Sequence, residues 1–353
     1  MEMSQKKILV RAPNWLGDNV LILPAVVRLQ QLAPHSEITI LVKAAFSEFW
    51  KLAGFKVIEL PKFQGISGLI ARYQFAKKIK TYNFDWAIIM PNSFDSAVIP
   101  FLATIKKRIG WATDARRFLL NHIIKHPNFS PQKQQPFDQL FLIEKLFDIQ
   151  NFSEELPQVK LNISNELIQA AKEKFLIENE KIYIAINPGA TYGTAKCWEK
   201  DYYVELILKA QRSLDLNVLI IGGNGDFEVC NAIMQDLLLL DPQAATWCKN
   251  MAGKTSITEL ATFLKMSQVL ITNDTGAMHM AAVVETPIIA IFGPTNWNRT
   301  APLGDKNVLL RGQHDCVKKC KRVCLGDHRC MKTVTVDVVY NKLEKITKNK
   351  EKK

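Results

Sequence analysis

The stretch NDTGAMHMAA (273–282) places an acid, Asp274, and the small pair Thr275 and Gly276 between an apolar run, VLIT (269–272), and a helical pattern. Backbone amides at a helix start have no acceptors within the helix and carry its positive end, so they can hold an anion. A carboxylate aimed at a phosphate would repel it, whereas sugar hydroxyls would find in it an acceptor. If the amides of Thr275 and Gly276 hold a phosphate, Asp274 is expected to hold the sugar attached to it.

Three other loops carry chemistry. NPGATYGTAKCW (187–198) offers exposed amides at Gly189 and Gly193, hydroxyls at Thr191 and Tyr192, and a point charge at Lys196. That mixture suits phosphate oxygens, although a loop lysine is often only solvated. The Walker pattern G-x4-G-K-[ST] is absent. GGNGDFE (222–228), with Gly225 at its centre, is glycine-rich but does not spell the dinucleotide fingerprint G-x-G-x-x-G. RAPNWLGDNV (11–20) sets Asp18 at the start of a helix, either as a capping carboxylate or as a general base. Arg11 in the same loop is either a surface charge or an anion contact.

These loops follow strands. KKILVRA (6–12), EITILVK (37–43), KVIEL (56–60) and DWAIIMP (85–91) are short apolar runs separated by helical patterns at Val20–Leu32 and 66–80. Near-continuous apolar strands between helices indicate parallel sheets covered on both faces. Pro24 falls inside the first helical pattern and predicts a kink or a late start. The texture changes between 126 and 163, and the alternation then resumes with KIYIAINPGA (181–190), NVLIIGG (217–223), VLIT and PIIAIFG (287–293). The expected fold class is α/β, with two Rossmann-like domains of parallel sheet facing across a cleft. The expected divisions are 1–170, 171–332, and a C-terminal helix with a basic tail over 333–353. Ligands in such sheets bind at the carboxyl ends of the strands.

The chain of 353 residues, 48% hydrophobic and 23% charged, has an ordinary globular composition. No apolar run approaches the ~20 residues of a transmembrane helix, and the start MEMSQKKILV lacks the features of a signal peptide. A cytoplasmic location is expected. Of the formal charge of +12, the last thirteen residues hold +4, leaving +8 on the body. A basic body suits an anionic partner. No basic stripe interleaved with aromatics is present, which argues against nucleic acid. Four of the seven cysteines crowd into CVKKCKRVCLGDHRC, as Cys316, Cys320, Cys324 and Cys330. Their spacing lacks the C-x2-C knuckle of zinc sites, and reduced, packed cysteines are expected.

Taken together, RAPNWLGDNVLILPAV, NPGATYGTAKCW, MAGKTSITELATFLKMSQVLITNDTGAMHMAA and PIIAIFGPT resemble the bacterial lipopolysaccharide heptosyltransferases, glycosyltransferase family nine. The resemblance runs from about residue 7 to 340, in order. It implies the GT-B architecture and inverting transfer of a heptose from ADP-heptose to the heptose-I residue of the inner core. A related transferase adding another core or O-antigen sugar is the alternative. The resemblance further implies that Asp18 takes the acceptor proton and that Lys196 neutralises the diphosphate. Its D-T-G-x-x-H motif falls on Asp274, Thr275, Gly276 and His279, placed with Thr191, Tyr192 and Gly225 at the donor; His279 is also readable as a core histidine. On the acceptor side, a lipid A-Kdo-heptose at the inner face of the inner membrane, it points to the N-terminal half. Arg11, Asn14, Arg108 and Arg116 are the candidates there, the last two in the basic run IKKRIGWATDARR (105–117). Without a D-x-D motif no metal is expected to be obligatory, with Mg at most a stimulant. The absent dinucleotide fingerprint argues against a nicotinamide oxidoreductase.

Overall fold

A computed structural model describes residues 5–127, 129–312, 320 and 322–351. The chain divides into two compact units, Met1–Val159 and Lys160–Lys353. The division falls earlier than the expected 170/171. That position lies inside a helix, Asn165–Phe175, which packs on Ile257–Met266 of the second unit. The C-terminal helix likewise belongs to the second unit, lying against Lys200–Leu214.

The first unit contains β1 (Lys7–Arg11), α1 (Leu16–Leu32), β2 (Glu37–Lys43), α2 (Ser47–Leu52), β3 (Lys56–Leu60), α3 (Gly65–Thr81), β4 (Trp86–Ile89), α4 (Phe94–Leu102), β5 (Lys107–Gly110), β6 (His122–Ile123) and α5 (Pro136–Leu146). Its six strands are parallel in the order β3-β2-β1-β4-β5-β6. Between Lys7 and Arg11 β1 is apolar and buried, as is β4 after Trp86, as a covered parallel strand requires.

The second unit contains α6 (Asn165–Phe175), β7 (Tyr183–Asn187), α7 (Lys200–Leu214), β8 (Asn217–Ile220), α8 (Phe227–Leu240), α9 (Ala244–Trp247), β9 (Cys248–Asn250), α10 (Ile257–Met266), β10 (Leu270–Asn273), α11 (Gly276–Val283), β11 (Ile288–Phe292), α12 (Trp297–Thr300), β12 (Asn307–Arg311), α13 (Arg329–Lys332) and α14 (Val336–Glu351). Its sheet, also parallel, runs β12-β11-β10-β7-β8-β9. Counted from its own first strand this is the same doubly wound order as in the first unit. In each sheet the order reverses once, between β1 and β4 and between β7 and β10. The crevice at such a reversal, outside the strand ends, is where this fold takes ligands.

The α/β class is as the strand runs predicted. Three details differ. α1 begins at Leu16 and continues through Pro24, where the missing N–H costs one helical hydrogen bond but a long contact with α5 holds the segment. Asp18 is therefore in the first turn, while Trp15 occupies the cap position. The basic run at 105–117 is not one charged face, because Lys107–Gly110 is strand β5 and Arg116 is buried. Among the described residues no helix is long and apolar enough to cross a membrane.

Candidate active site

In the second unit the reversal point is built from buried amides. Asn187 ends β7 and Thr272 pairs with it in β10. The Asn187 side chain donates to the Ile221 carbonyl at the end of β8 (2.9 Å) and accepts from the Thr275 hydroxyl (2.8 Å). Asn273, fully buried, uses all four of its hydrogen-bonding positions. Its Nδ2 donates to the carbonyls of Pro188 (2.8 Å) and Gly189 (3.1 Å), and its Oδ1 accepts from the Trp198 amide (3.0 Å) and the Tyr203 hydroxyl (3.1 Å). A buried amide so satisfied is worth keeping and costly to disturb. Asn187 ties the end of β7 to the end of β8 and to Thr275, Asn273 ties the end of β10 to the loop 188–198, and sequence reasoning named neither. Their only signal was position, an amide at the last residue of each apolar run.

Thr275 caps α11, its hydroxyl accepting from the Met278 amide (3.4 Å). That leaves the Gly276 and Ala277 amides at the positive helix end, whereas the sequence reading had named those of Thr275 and Gly276. Asp274 is 7% exposed, and its Oδ2 accepts from Lys196 Nζ at 2.9 Å and from the Thr300 hydroxyl at 3.4 Å. Lys196 and Asp274 thus form one pair at the mouth of α11, where the sequence reading had set one on phosphate and the other on sugar. Thr300, from α12, was not anticipated. Tyr192 stands half-exposed with Lys196 Nζ 5.7 Å and the Arg322 guanidinium 5.8 Å from its ring centroid.

His279 is 4% exposed, and its Nδ1 has no hydrogen-bond partner. Burial lowers its pKa to about 4 against the opposing pull of Asp274, so the ring is neutral at pH 7. A neutral imidazole beneath the pair is the core histidine of the alternative reading, and it adds no positive charge for a phosphate. Cys197 follows Lys196 as a half-buried thiol that burial pushes up to about 11, hence uncharged.

The loop before Lys196 is held from the chain's far end. The Ala195 amide donates to the Arg322 carbonyl (3.1 Å), and its own carbonyl meets His328 Nε2 (3.2 Å), while His328 Nδ1 meets Glu199 Oε1 (2.9 Å). Gly193 has φ 149°, and a Cβ there would run into the Arg322 backbone. Arg322 and His328 thus brace the lysine loop. Cys316 lies outside the described residues; Cys320 and Cys324 are half-buried and Cys330 is buried. Among the described residues no group of three or more His, Cys, Asp or Glu could hold a metal.

Gly225 is exposed in the loop after β8 and lines a cavity of about 620 Å³ together with Gly189, Thr194, Asp226 and His328. The same lining includes Cys197 and Trp198, which follow Lys196 in the chain. The Asp226 carboxylate is packed against Gly189 and Gly222, where a Cβ would collide with it, and burial raises its pKa.

In the first unit the reversal point lies between the ends of β1 and β4. Asn19, fully buried, donates to the carbonyls of Pro13 (3.1 Å) and Trp15 (2.7 Å) and accepts from the Trp50 indole (2.7 Å), which sets the loop that carries Asp18 into α1. Asp18 itself is half-buried. Arg11 donates to the Ala12 carbonyl and, at 2.9 Å, to Asn14 Oδ1. Burial lowers its pKa to about 10, against the pull of Asp95. Arg11 and Asn14 line a cavity of about 490 Å³ with Lys43, Lys62, Arg72 and Asp95. Four cations against one acid leave the cavity net positive, and of these the sequence reading had named only Arg11.

Arg116 is corrected, and Arg108, half-buried, spends two of its donors within the protein. Arg108 donates to the carbonyls of Leu119 (2.8 Å) and Ile105 (2.6 Å). Arg116 is 0% exposed and donates to the carbonyls of Trp111 (2.9 Å) and Pro91 and to the Ser96 hydroxyl (2.9 Å). Both guanidiniums stitch loops together, and Arg116 presents nothing to a ligand.

A sheet pair of this order with an ion pair at a helix mouth is common to many enzymes, and comparison with known proteins decides among them. The family model of glycosyltransferase family 9 (heptosyltransferase) matches residues 72–329. The chain belongs to that family. The transferase is 30% identical to lipooligosaccharide heptosyltransferase 2 of Haemophilus influenzae, across 96% of this chain and 99% of the relative. It is 29% identical to lipopolysaccharide heptosyltransferase 2 of Escherichia coli K12, across 86% and 88%. The solved structure of E. coli ADP-heptose lps heptosyltransferase II superposes with a TM-score of 0.84 at 25% identity, covering 98% and 99%.

Proposed function

We propose that this glycosyltransferase moves a heptose from ADP-heptose to the heptose-I residue of the lipopolysaccharide inner core, with inversion. The observation that carries the reading is the Lys196–Asp274 pair at the capped start of α11, at the reversal point of the second sheet. The names of the H. influenzae and E. coli relatives support the choice of heptose, and the E. coli structure supports ADP-heptose as donor. On binding, Lys196 exchanges its contact with Asp274 for the diphosphate, joined by the first amides of α11. Asp274, released, accepts from the heptose hydroxyls.

Inversion needs a single in-line displacement. The acceptor hydroxyl oxygen forms its bond to the anomeric carbon as the bond from that carbon to the diphosphate oxygen breaks. The electron pair leaves with ADP, and the hydroxyl proton passes to Asp18 as general base. ADP departs as an anion, so the leaving group needs cationic and amide stabilisation rather than a proton. Lys196 and the helix start supply it, and turnover is expected to persist in EDTA, with Mg at most a stimulant. The cationic cavity around Arg11 and Asn14 receives the anionic core saccharide of a lipid A-Kdo-heptose acceptor, with the enzyme working peripherally at the inner face of the inner membrane. The test is product identification by mass spectrometry after mixing the protein with ADP-heptose and truncated cores. A heptose added only to the heptose-I-terminated core is the expected result. Transfer to a different core, or none, would refute the assignment.

A further inference from the structure

Helix α3 carries apolar residues on two adjoining faces, and only one of them is covered. At 100° per residue, Leu69, Ile70, Tyr73, Lys77 and Lys80 fall within one arc of about 100°, while Gly68, Arg72, Ala76 and Ile79 fall within the neighbouring arc of about 80°. The second set is the packed side: Ala76 and Ile79 are 0% exposed within a core cluster, and Arg72 pairs with Asp95 of α4 at 2.6 Å. The first set is bare, with Leu69 66%, Ile70 60% and Tyr73 50% exposed. Three neighbouring large apolar side chains left in water on one helix cost hydrophobic free energy unless something covers them.

The charge on the same helix says what that is. α3 contains Arg72, Lys77, Lys78 and Lys80 and no acid. Lys77 Nζ stands 4.8 Å above the Tyr73 ring, its stem along the apolar stripe and its charge at the border. An apolar stripe edged by lysines is the profile of a helix lying in the interface of an anionic bilayer. A second copy of this chain is a poor occupant, since a two-fold contact would bring together two helices that carry only positive charge. The placement also fits. α3 starts at Gly65, directly after Lys62, Phe63 and Gln64, which line the cationic cavity, and Arg72 lines it too.

We propose that the Leu69–Ile70–Tyr73 face of α3 is a docking surface for an anionic lipid bilayer, with Lys77 and Lys80 on lipid headgroups. It rests on the reading above in that a lipid-anchored acceptor reaches the adjoining cavity from the membrane surface.

Vesicle binding is measured without donor or acceptor, so its failure is distinct from a failure of heptose transfer. Full-length protein is floated with vesicles of phosphatidylethanolamine and phosphatidylglycerol, and with neutral phosphatidylcholine vesicles. The parent is expected to bind the anionic vesicles and to be released by salt. The triple variant Leu69→Gln/Ile70→Gln/Tyr73→Gln is expected to bind about tenfold or more weakly. Each of Lys77→Gln and Lys80→Gln is expected to bind about fivefold more weakly. All replaced side chains are exposed, and circular dichroism checks that the variants fold. With a delipidated core acceptor the triple variant should turn over like the parent, and with acceptor embedded in vesicles it should be slower. A parent that ignores anionic vesicles, or a triple variant that binds them equally, overturns the proposal. So does a parent that sediments as a dimer, dissolved by the triple variant, without vesicle binding: the face would then belong to a protein contact.

Discussion

Replacing Asp274 with alanine separates the two halves of the donor. Oδ2 of Asp274 holds Lys196 at 2.9 Å and Thr300 at 3.4 Å, in surroundings that leave the residue 7% exposed. Asp274→Ala removes the acceptor proposed for the heptose hydroxyls. A hydrogen bond from a hydroxyl to a charged acceptor is worth about 1.5–3 kcal/mol, which weakens ADP-heptose binding roughly 10- to 150-fold. ADP has no heptose to lose. It also meets a Lys196 that need not first leave a carboxylate, so its affinity should hold or rise. Calorimetric titration of both ligands against parent and variant measures the two changes. The companion variant Lys196→Ala should weaken ADP and ADP-heptose together, because the diphosphate is common to both. Equal weakening of both ligands by Asp274→Ala would refute the reasoning. Asp274 would then serve to hold the lysine loop and the start of α11, with no contact to the sugar.

Asp18→Asn should leave ADP-heptose binding near that of the parent while lowering turnover ~100-fold or more, as for a lost general base, and a rate within a few-fold of the parent would return Asp18 to a purely helical role. His328→Ala should raise the Kd for ADP several-fold without touching the ligand, by freeing the Ala195 carbonyl beside Lys196; Glu199→Gln should do so more weakly, and an unchanged Kd in both would remove the brace. His279 makes stability pH-dependent. Its folded pKa of about 4 lies below the ordinary value of 6.5, so as pH falls through 6.5 the unfolded chain takes up a proton that the folded one refuses. The penalty is absent above pH 7, grows to about 2 kcal/mol at pH 5 and is complete below pH 4 at roughly 3 kcal/mol. Urea unfolding of His279→Gln at pH 7 and pH 5 should show a smaller acid loss than the parent, and an equal loss would mean the ring is charged in the fold.

The sequence by itself determined the strands, the fold class and the loops that matter. Short apolar runs such as KILVR, YIAIN and IIAIF can be covered on both faces only in parallel sheets, and parallel strands put their loops to use at one end. Asp18, Lys196, Asp274 and Thr275 were legible as candidates because each lies in the loop that follows such a run; that Thr275 caps α11 was not. Only the tertiary structure decided how these residues meet. The pairing of Lys196 with Asp274 spans 78 positions, and the brace from His328 to Ala195 spans 133, separations at which local pattern carries no signal. Asn19, Asn187 and Asn273 look ordinary in the chain because an amide's worth depends on the partners folding brings to it. The basic run misled for the same reason. Charge is visible in sequence and burial is not, and it was burial that turned Arg116 inward onto carbonyls and gathered Lys43, Lys62 and Arg72 around Arg11.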